Sequence, residues 1–297
     1  MKQLAALAIA LLTPLFGWAQ YNSYTAFASG TAPSYEGLWW NSSESGWGVS
    51  IAHQGDTLFA VWYTYDTDGS PMWLFMPSAG LVGDDMETSM GMMDMDMMGM
   101  PRQTPMYSGS LYRSSMAGGK LAVTEVGMAT FLFKSRTSGV FAYSVGNVTG
   151  SKDITPLAFA GSTQCTVGGT KAAGAENYQD LWWNSSDSGW GVNIAEQGNT
   201  IFATYYSYSA TGNPEWYVMS NTTSAGGSTY SGPVLRATGP AFSSAWNAAK
   251  VSLTPVGSAT FAFDASGRGT FDFTANGQRQ VKPIQRMAFS APASVCH

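Results

Sequence analysis

The chain contains the stretch LWWNSSESGWGV at residues 38–49 and repeats it as LWWNSSDSGWGV at residues 181–192. The copies are 143 residues apart, and this offset holds as far as Trp73, which matches Trp216. Self-similarity over this distance indicates two homologous units rather than one long domain. We therefore assign what both copies share to the scaffold and what one copy adds to function.

Each unit has the sequence pattern of a β domain. Residues 57–65 and 72–76 are rich in aromatic and β-branched residues, and the turn-forming sequence DTDGSP at 66–71 separates them. Gly55 and Gly198 lie between strand-like runs, where a hairpin turn needs positive φ. The pattern predicts an all-β fold of two tandem homologous antiparallel meander units, each with about seven or eight strands. We expect up-and-down eight-stranded β-barrels, because closure removes exposed strand edges; β-sandwiches are the alternative.

The ends and junctions of these units define the expected domain organisation. Lys2, the apolar run after it and the small residues near position 19 are typical of a cleaved signal peptide, so we expect an exported protein, periplasmic or extracellular. No later apolar segment is long enough to span a membrane after cleavage. The predicted segments are a signal peptide (1–19), an N-terminal polar segment (20–34), a first β-domain (35–165) with a Met-rich insertion (84–106), a flexible linker (166–177) and a second β-domain (178–297).

Charge and cysteine content restrict the possible partners. Only 11% of residues are charged and the net charge is −5, which argues against binding to nucleic acid or to anionic membrane surfaces. The only cysteines are Cys165 and Cys296, one near the end of each unit. In an oxidising compartment we expect them to form a disulfide. The alternatives are a free pair, or a metal ligand formed by Cys296 with His297.

An insertion rich in methionine interrupts the first copy. The offset falls from 143 to 123 at Tyr107, so the first copy has 20 more residues, and nine methionines lie between Met86 and Met106. Neutral thioethers select Cu(I), and nearby carboxylates attract a cation. The predicted copper ligands are Met86, Met90, Met92, Met93, Met95, Met97, Met98, Met100, Asp94 and Asp96. The alternatives are hydrophobic filling of the core and drift in a low-complexity loop.

The repeated stretch is a second candidate site. It places aromatic rings beside amides and a carboxylate, as sugar-binding clefts do. The candidate ligand-binding residues are Trp39, Trp40, Asn41, Glu44, Trp47, Trp182, Trp183, Asn184, Asp187 and Trp190. The alternative is a structured turn, in which Ser and Asx side chains bond the backbone and the tryptophans fill the core.

Other catalytic or metal-binding patterns are weak. With two histidines in the chain, a His-based triad or a His-rich zinc site is not expected, and we do not expect an enzyme. His53 aligns with Glu196, and we expect it to be a solvated turn residue. The DTDG sequence at 66–69 lacks the later acidic ligands of a calcium loop, so a turn is expected there.

Two resemblances follow from these stretches. Gly37-Leu38-Trp39 resembles the Gly-x-Trp start of lipocalin and avidin-type barrels, which implies a Trp at the barrel floor and an Arg of the last strand packed on it. Arg286 is the matching residue in the second copy, whereas the first copy has Pro156. The repeated stretch also resembles a secreted bacterial tandem repeat of the W-W-N-x-x-[ED]-S-G-W-G type, which implies no mechanism.

Together these features predict an exported copper-binding protein that sequesters or transfers Cu(I) through the Met-rich loop of a duplicated barrel scaffold. The alternatives are an extracellular module that binds a glycan or another secreted protein, and a self-assembling subunit of an extracellular structure.

Overall fold

A computed structural model describes residues 32–82, 104–161, 163–171, 176–224 and 227–297 of the chain. Almost all regular structure in these ranges is β-strand, apart from a 3-10 helix at Ala248–Lys250. No helix in these ranges has the length and apolar character needed to cross a bilayer.

After a short strand β1 (Ala32–Pro33), the first unit is a closed eight-stranded antiparallel barrel. Each strand pairs with the next, and the last pairs with the first through Trp39 opposite Pro156. The strands are β2 (Gly37–Trp40), β3 (Gly48–Gln54), β4 (Thr57–Tyr65), β5 (Pro71–Leu81), β6 (Met106–Ala117), β7 (Lys120–Ser135), β8 (Ser138–Val145) and β9 (Val148–Pro156).

After strand β10 (Cys165–Val167), the second unit repeats the same topology. Its strands are β11 (Asp180–Trp183), β12 (Gly191–Gln197), β13 (Thr200–Tyr208), β14 (Pro214–Ser224), β15 (Thr229–Thr238), β16 (Ser252–Phe263), β17 (Arg268–Ala275) and β18 (Gln278–Arg286). Strand β19 (Ser294–Cys296) follows. Pairing of β18 with β11 closes the barrel, so the prediction of two up-and-down eight-stranded barrels is confirmed and sandwiches are excluded.

Aromatic side chains fill the interior of each barrel. In β8 every second residue points inward, which buries Phe141 and Tyr143, and β17 buries Phe271 and Phe273 in the same way. Stacked rings cross between neighbouring strands, as in the pair Phe131 and Phe141 at a centroid distance of 5.1 Å. The tight turns between strands use glycine with positive φ, including Gly55 at 57°.

A third apolar cluster lies between the two barrels. Strand β4 is buried along almost its whole length, because one face lines its barrel and the other contacts the second barrel. Tyr63, Trp73, Tyr206 and Trp216 form the centre of this contact. The continuous aromatic run of residues 57–65 therefore reflects a strand that is covered on both faces.

A small third sheet ties the two units together. Strands β1, β10 and β19 form it, and Cys165 lies opposite Cys296. The two cysteines form the predicted disulfide, with sulfurs 2.01 Å apart. Residues 166 and 167, the start of the predicted linker, are part of β10, and β1 lies in the predicted N-terminal polar segment.

The connection between β15 and β16 reaches from the second barrel across the mouth of the first. Phe242 packs against Trp62, with ring centroids 5.5 Å apart, and its N–H donates to the Tyr65 carbonyl. Trp246 packs on Trp47 at 6.4 Å. The two-residue turn at Gly118 and Gly119 replaces this connection in the first copy. The extra residues of the second copy therefore cover one end of the first barrel.

Candidate functional site

The Met-rich insertion joins two strands whose pairing does not depend on it. Leu81 of β5 lies opposite Tyr107 of β6, and the N–H of Val82 donates to the Met106 carbonyl at 2.7 Å. In the second barrel, Ser224 lies opposite Tyr230 in the same way, across a much shorter connection. The insertion therefore connects two strands that pair directly beside it.

The predicted copper ligands lie outside the described residues. This applies to Met86, Met90, Met92, Met93, Met95, Met97, Met98, Met100, Asp94 and Asp96. Within the described ranges, no group of three or more His, Cys, Asp or Glu side chains is placed to hold a metal ion.

The repeated stretch forms the same tight turn in both barrels. The Asn41 carboxamide oxygen accepts the Ser43 N–H at 2.8 Å, and the Asn41 carbonyl accepts the Glu44 N–H at 3.0 Å. The Trp47 indole N–H then donates to the Glu44 carboxylate at 3.2 Å. Asn184, Ser186, Asp187 and Trp190 make the equivalent hydrogen bonds in the second barrel.

A lysine of the last strand of each barrel forms an ion pair with the carboxylate of the turn. Lys152 is 2.8 Å from Glu44, and Lys282 is 2.9 Å from Asp187. Lys282 also lies over the Trp190 ring, 4.3 Å from its centroid, where a cation is attracted by the π-system. Although burial acts to raise the pKa of the Asp187 carboxyl, hydrogen bonds from Lys282 and Trp190 outweigh it and lower that pKa.

These contacts favour the structured turn over the ligand-binding interpretation. The rings of Trp39, Trp47, Trp182 and Trp190 are buried, and the carboxylates of the motif are already paired. Trp40 and Trp183 are the motif tryptophans that remain partly exposed. The motif thus braces the end of each barrel and presents little free aromatic surface.

The tryptophan at the floor of each barrel is anchored differently in the two copies. The indole N–H groups of Trp39 and Trp182 donate to the carbonyls of Tyr35 and Tyr178. Arg286 lies over the Trp182 ring, 4.9 Å from its centroid, as the barrel resemblance implies. Trp39 faces Pro156 and has no such arginine opposite it.

His53 is buried, so the prediction of a solvated turn residue was wrong. Its side chain is inside the barrel end, and the whole residue is 2% exposed. Nδ1 accepts the Tyr35 N–H at 3.2 Å, and Nε2 lies 3.3 Å from the Tyr107 hydroxyl. Burial lowers the pKa of His53 to about 4, so the ring is neutral near pH 7.

Glu196 has the same role in the second barrel. Its carboxylate accepts the Tyr178 N–H and, at 2.6 Å, the Tyr230 hydroxyl. Burial raises the pKa of this carboxyl, and the hydrogen bonds from Tyr178 and Tyr230 oppose the rise. The alignment of His53 with Glu196 was visible in the sequence, but their shared function as hydrogen-bond acceptors was not.

The DTDG sequence is a turn, as expected. The Asp66 carboxylate accepts the Thr67 N–H at 2.7 Å and pairs with Arg113 at 2.7 Å. The Asp68 carboxylate accepts from the backbone and hydroxyl of Ser70, which lowers its pKa.

A buried polar patch between the barrels escaped the sequence analysis. Glu36 and Asp180 border a cavity of about 10 Å³, large enough for one water molecule. The Thr204 hydroxyl also lines it and has no protein partner in the described part of the chain. Burial and the Asp180 charge raise the pKa of Glu36, whereas Arg286 at 2.8 Å counters the effect of burial on Asp180.

Comparisons with known proteins add no further assignment. No protein-family model, curated protein or solved structure matches the chain.

Proposed function

We propose that the chain is an exported, non-catalytic copper-binding protein that sequesters or transfers Cu(I) through its Met-rich insertion. The observation that carries this proposal is the position of the insertion. Strands β5 and β6 pair beside it as β14 and β15 do without it, so barrel closure gives no reason for the additional residues. A segment that the scaffold does not need is a candidate for a separate function.

The composition of the insertion favours a soft cation. Thioether sulfur is neutral and binds Cu(I) or Ag(I) without competing strongly with protons. Asp94, Asp96 and Glu87 add negative charge close to these sulfurs in the sequence. Close spacing, as in Met90, Met92 and Met93, lets one segment supply several sulfurs to one ion.

Burial of the motif tryptophans gives less support to binding of a glycan or a secreted protein. Recognition of a sugar by aromatic rings needs ring faces that are accessible, and Trp47 and Trp190 are 6% and 7% exposed. The buried rings of the motif therefore favour the copper proposal over recognition of a glycan.

The test is a Cu(I) titration of the mature protein against a competing chelator, beside a variant that lacks residues 86–100. We expect the intact protein to compete for Cu(I) and the deletion variant to lose most of this capacity. Ag(I), which is not oxidised in air, serves as a second probe. Equal binding by both proteins would contradict the proposal.

The chain provides a matched control. Met128 lies in β7 of the same barrel, outside the insertion, and is 54% exposed. Met128→Leu should bind Cu(I) as the intact protein does, whereas replacing Met92, Met93 and Met95 by Leu should weaken binding. Circular dichroism of each variant shows whether the barrels remain folded.

A further inference from the structure

An open groove lies where the two barrels meet, at the end of the molecule that carries the connection between β15 and β16. It is a shallow groove, mostly open to solvent, with a volume of about 450 Å³. The first barrel contributes the turn with Asp68 and Ser70. The second barrel contributes Arg236, Thr238 and Lys250.

Arg236 has unused hydrogen-bonding capacity in this groove. Its Nε donates to the Glu215 carboxylate at 2.5 Å. Within the described residues, its terminal nitrogens Nη1 and Nη2 have no hydrogen-bond partner. The equivalent residue of the first barrel, Arg113, donates through Nη2 to Asp66. The second copy has Ser209 at the position of Asp66, so the carboxylate that occupies Arg113 has no counterpart beside Arg236.

Lys250 brings a second positive charge to the groove. It ends the 3-10 helix Ala248–Lys250 and forms no ion pair within the part of the chain that the structure describes. Its equivalent in the first copy is Lys120, which directly follows the tight turn at Gly118 and Gly119. The longer connection of the second copy therefore places this lysine on the groove.

The carboxylate of Asp68, the acidic residue of the groove, already accepts hydrogen bonds from Ser70. The Asp68 carboxylate accepts the N–H of Ser70 at 2.9 Å and its hydroxyl at 2.5 Å. Thr238 adds a further hydroxyl to the lining. The groove thus combines two cations, one internally bonded carboxylate and hydroxyl groups, in a protein whose net charge is −5.

We propose that this groove is a binding site for a small ligand that carries an oxyanion group, such as a carboxylate, sulfate or phosphate. The free edge of the Arg236 guanidinium matches two oxygens of such a group. Lys250 adds a point charge, and the hydroxyl of Thr238 is available to the rest of the ligand.

The test is isothermal titration calorimetry of the full mature protein at low ionic strength, with sodium glucuronate, sulfate and phosphate as probes and glucose as the neutral control. We expect saturable binding of at least one anion and none of glucose. The three anions show whether the site takes a carboxylate or a tetrahedral oxyanion. Absence of saturable binding for all three would overturn the proposal.

Lys250→Gln is the main variant, with Lys120→Gln as its matched control for the same change in net charge. Loss of one charge-assisted contact should weaken anion binding by about tenfold in Lys250→Gln. Lys120→Gln should bind like the intact protein. Equal affinities in the two variants would show that the anion does not bind at the groove.

Arg236→Lys supplies a second measurement that keeps a cation beside the largely buried Glu215. It removes the planar fork, so anion affinity should fall while the thermal stability of the free protein changes little. Deletion of residues 86–100 should leave anion binding unchanged, which separates this site from the proposed copper site.

Discussion

Trp73 and Trp216 occupy equivalent positions in the two barrels, and each donates its indole N–H to the other barrel. The Trp73 nitrogen lies 2.9 Å from the Ser207 carbonyl, and the Trp216 nitrogen lies 2.9 Å from the Thr64 carbonyl. The two acceptors are also equivalent residues. The contact between the barrels therefore has approximate two-fold symmetry, as the interface of a symmetric dimer does.

Replacing either of these tryptophans should lower the free energy of unfolding by a similar amount. Trp73→Phe and Trp216→Phe each remove one cross-barrel hydrogen bond, which costs about 0.5–1.5 kcal/mol. The free energy of unfolding in urea measures the effect. Trp40→Phe, at a partly exposed position, is the control and should cost less.

A second reciprocal pair fixes the segments that follow the last strand of each barrel. Gln54 donates to the Met287 carbonyl at 2.8 Å and accepts the N–H groups of Phe289 and Ser290. Gln197 makes the same three hydrogen bonds to Leu157, Phe159 and Ala160.

Gln54→Ala should therefore act on the opposite barrel. We expect faster hydrogen exchange at the amides of Phe289 and Ser290, because they lose their acceptor. Gln197→Ala should do the same at Phe159 and Ala160. If exchange accelerates only near the substituted residue itself, the segments are held by other contacts.

Stability should depend on pH through His53. Its pKa is about 4 in the folded protein, below the ordinary value of 6.5. Between these values the unfolded chain binds the additional proton, so stability is full above about pH 6.5 and decreases as the pH falls towards 4. The decrease attributable to this group is about 3 kcal/mol.

His53→Gln isolates this contribution, since the glutamine oxygen can accept the Tyr35 N–H without binding a proton. The variant should lose less stability than the intact protein between pH 7 and pH 4.5, as measured by chemical unfolding. His297→Gln is the control and should follow the intact protein. Parallel pH profiles for the two variants would rule out His53 as the source.

Lys282 should stabilise the second barrel more than an ordinary surface lysine does. Its side chain is 18% exposed, lies over Trp190 and pairs with Asp187. Lys282→Gln should cost about 1–2 kcal/mol of unfolding free energy. The pair of Lys134 with Asp153 is exposed, so Lys134→Gln should cost less than about 0.5 kcal/mol.

The disulfide should contribute strongly, because it links residues 131 positions apart. Replacing Cys165 and Cys296 by Ser should lower the unfolding free energy by about 3–5 kcal/mol, since the unfolded chain gains conformational freedom. Unfolding with and without reductant provides a check on the intact protein. Reductant should have no effect on the double variant.

Several features followed directly from local sequence patterns. The aromatic run at residues 57–65, the glycine turns and the repeated stretch predicted consecutive hairpins, and the two barrels confirm this. The pairing of Cys165 with Cys296 followed from there being only two cysteines. Each of these features depends on short-range geometry or on the number of cysteines in the chain.

Contacts between distant segments of the chain had no recognisable local sequence pattern. Phe242 and Trp246 lie in the connection between β15 and β16, and they cover the mouth of the opposite barrel. His53 lies near the end of β3 beside a turn, and its burial comes from Tyr35 and Tyr107, which lie on other segments of the chain. The groove at Arg236 also needs both barrels to exist.

The sequence by itself determined the duplication, the strand content and the location of the Met-rich insertion, because alternation, turn chemistry and internal alignment are properties of neighbouring residues. The tertiary structure decided which faces became buried and which hydrogen-bonding groups remained free. Packing the two barrels along an approximate two-fold axis buried one set of aromatic faces between them. It also brought Arg236, whose Nε donates to Glu215, beside the Asp68 turn of the first barrel. Such outcomes arise from long-range contacts, which no single stretch of the chain specifies.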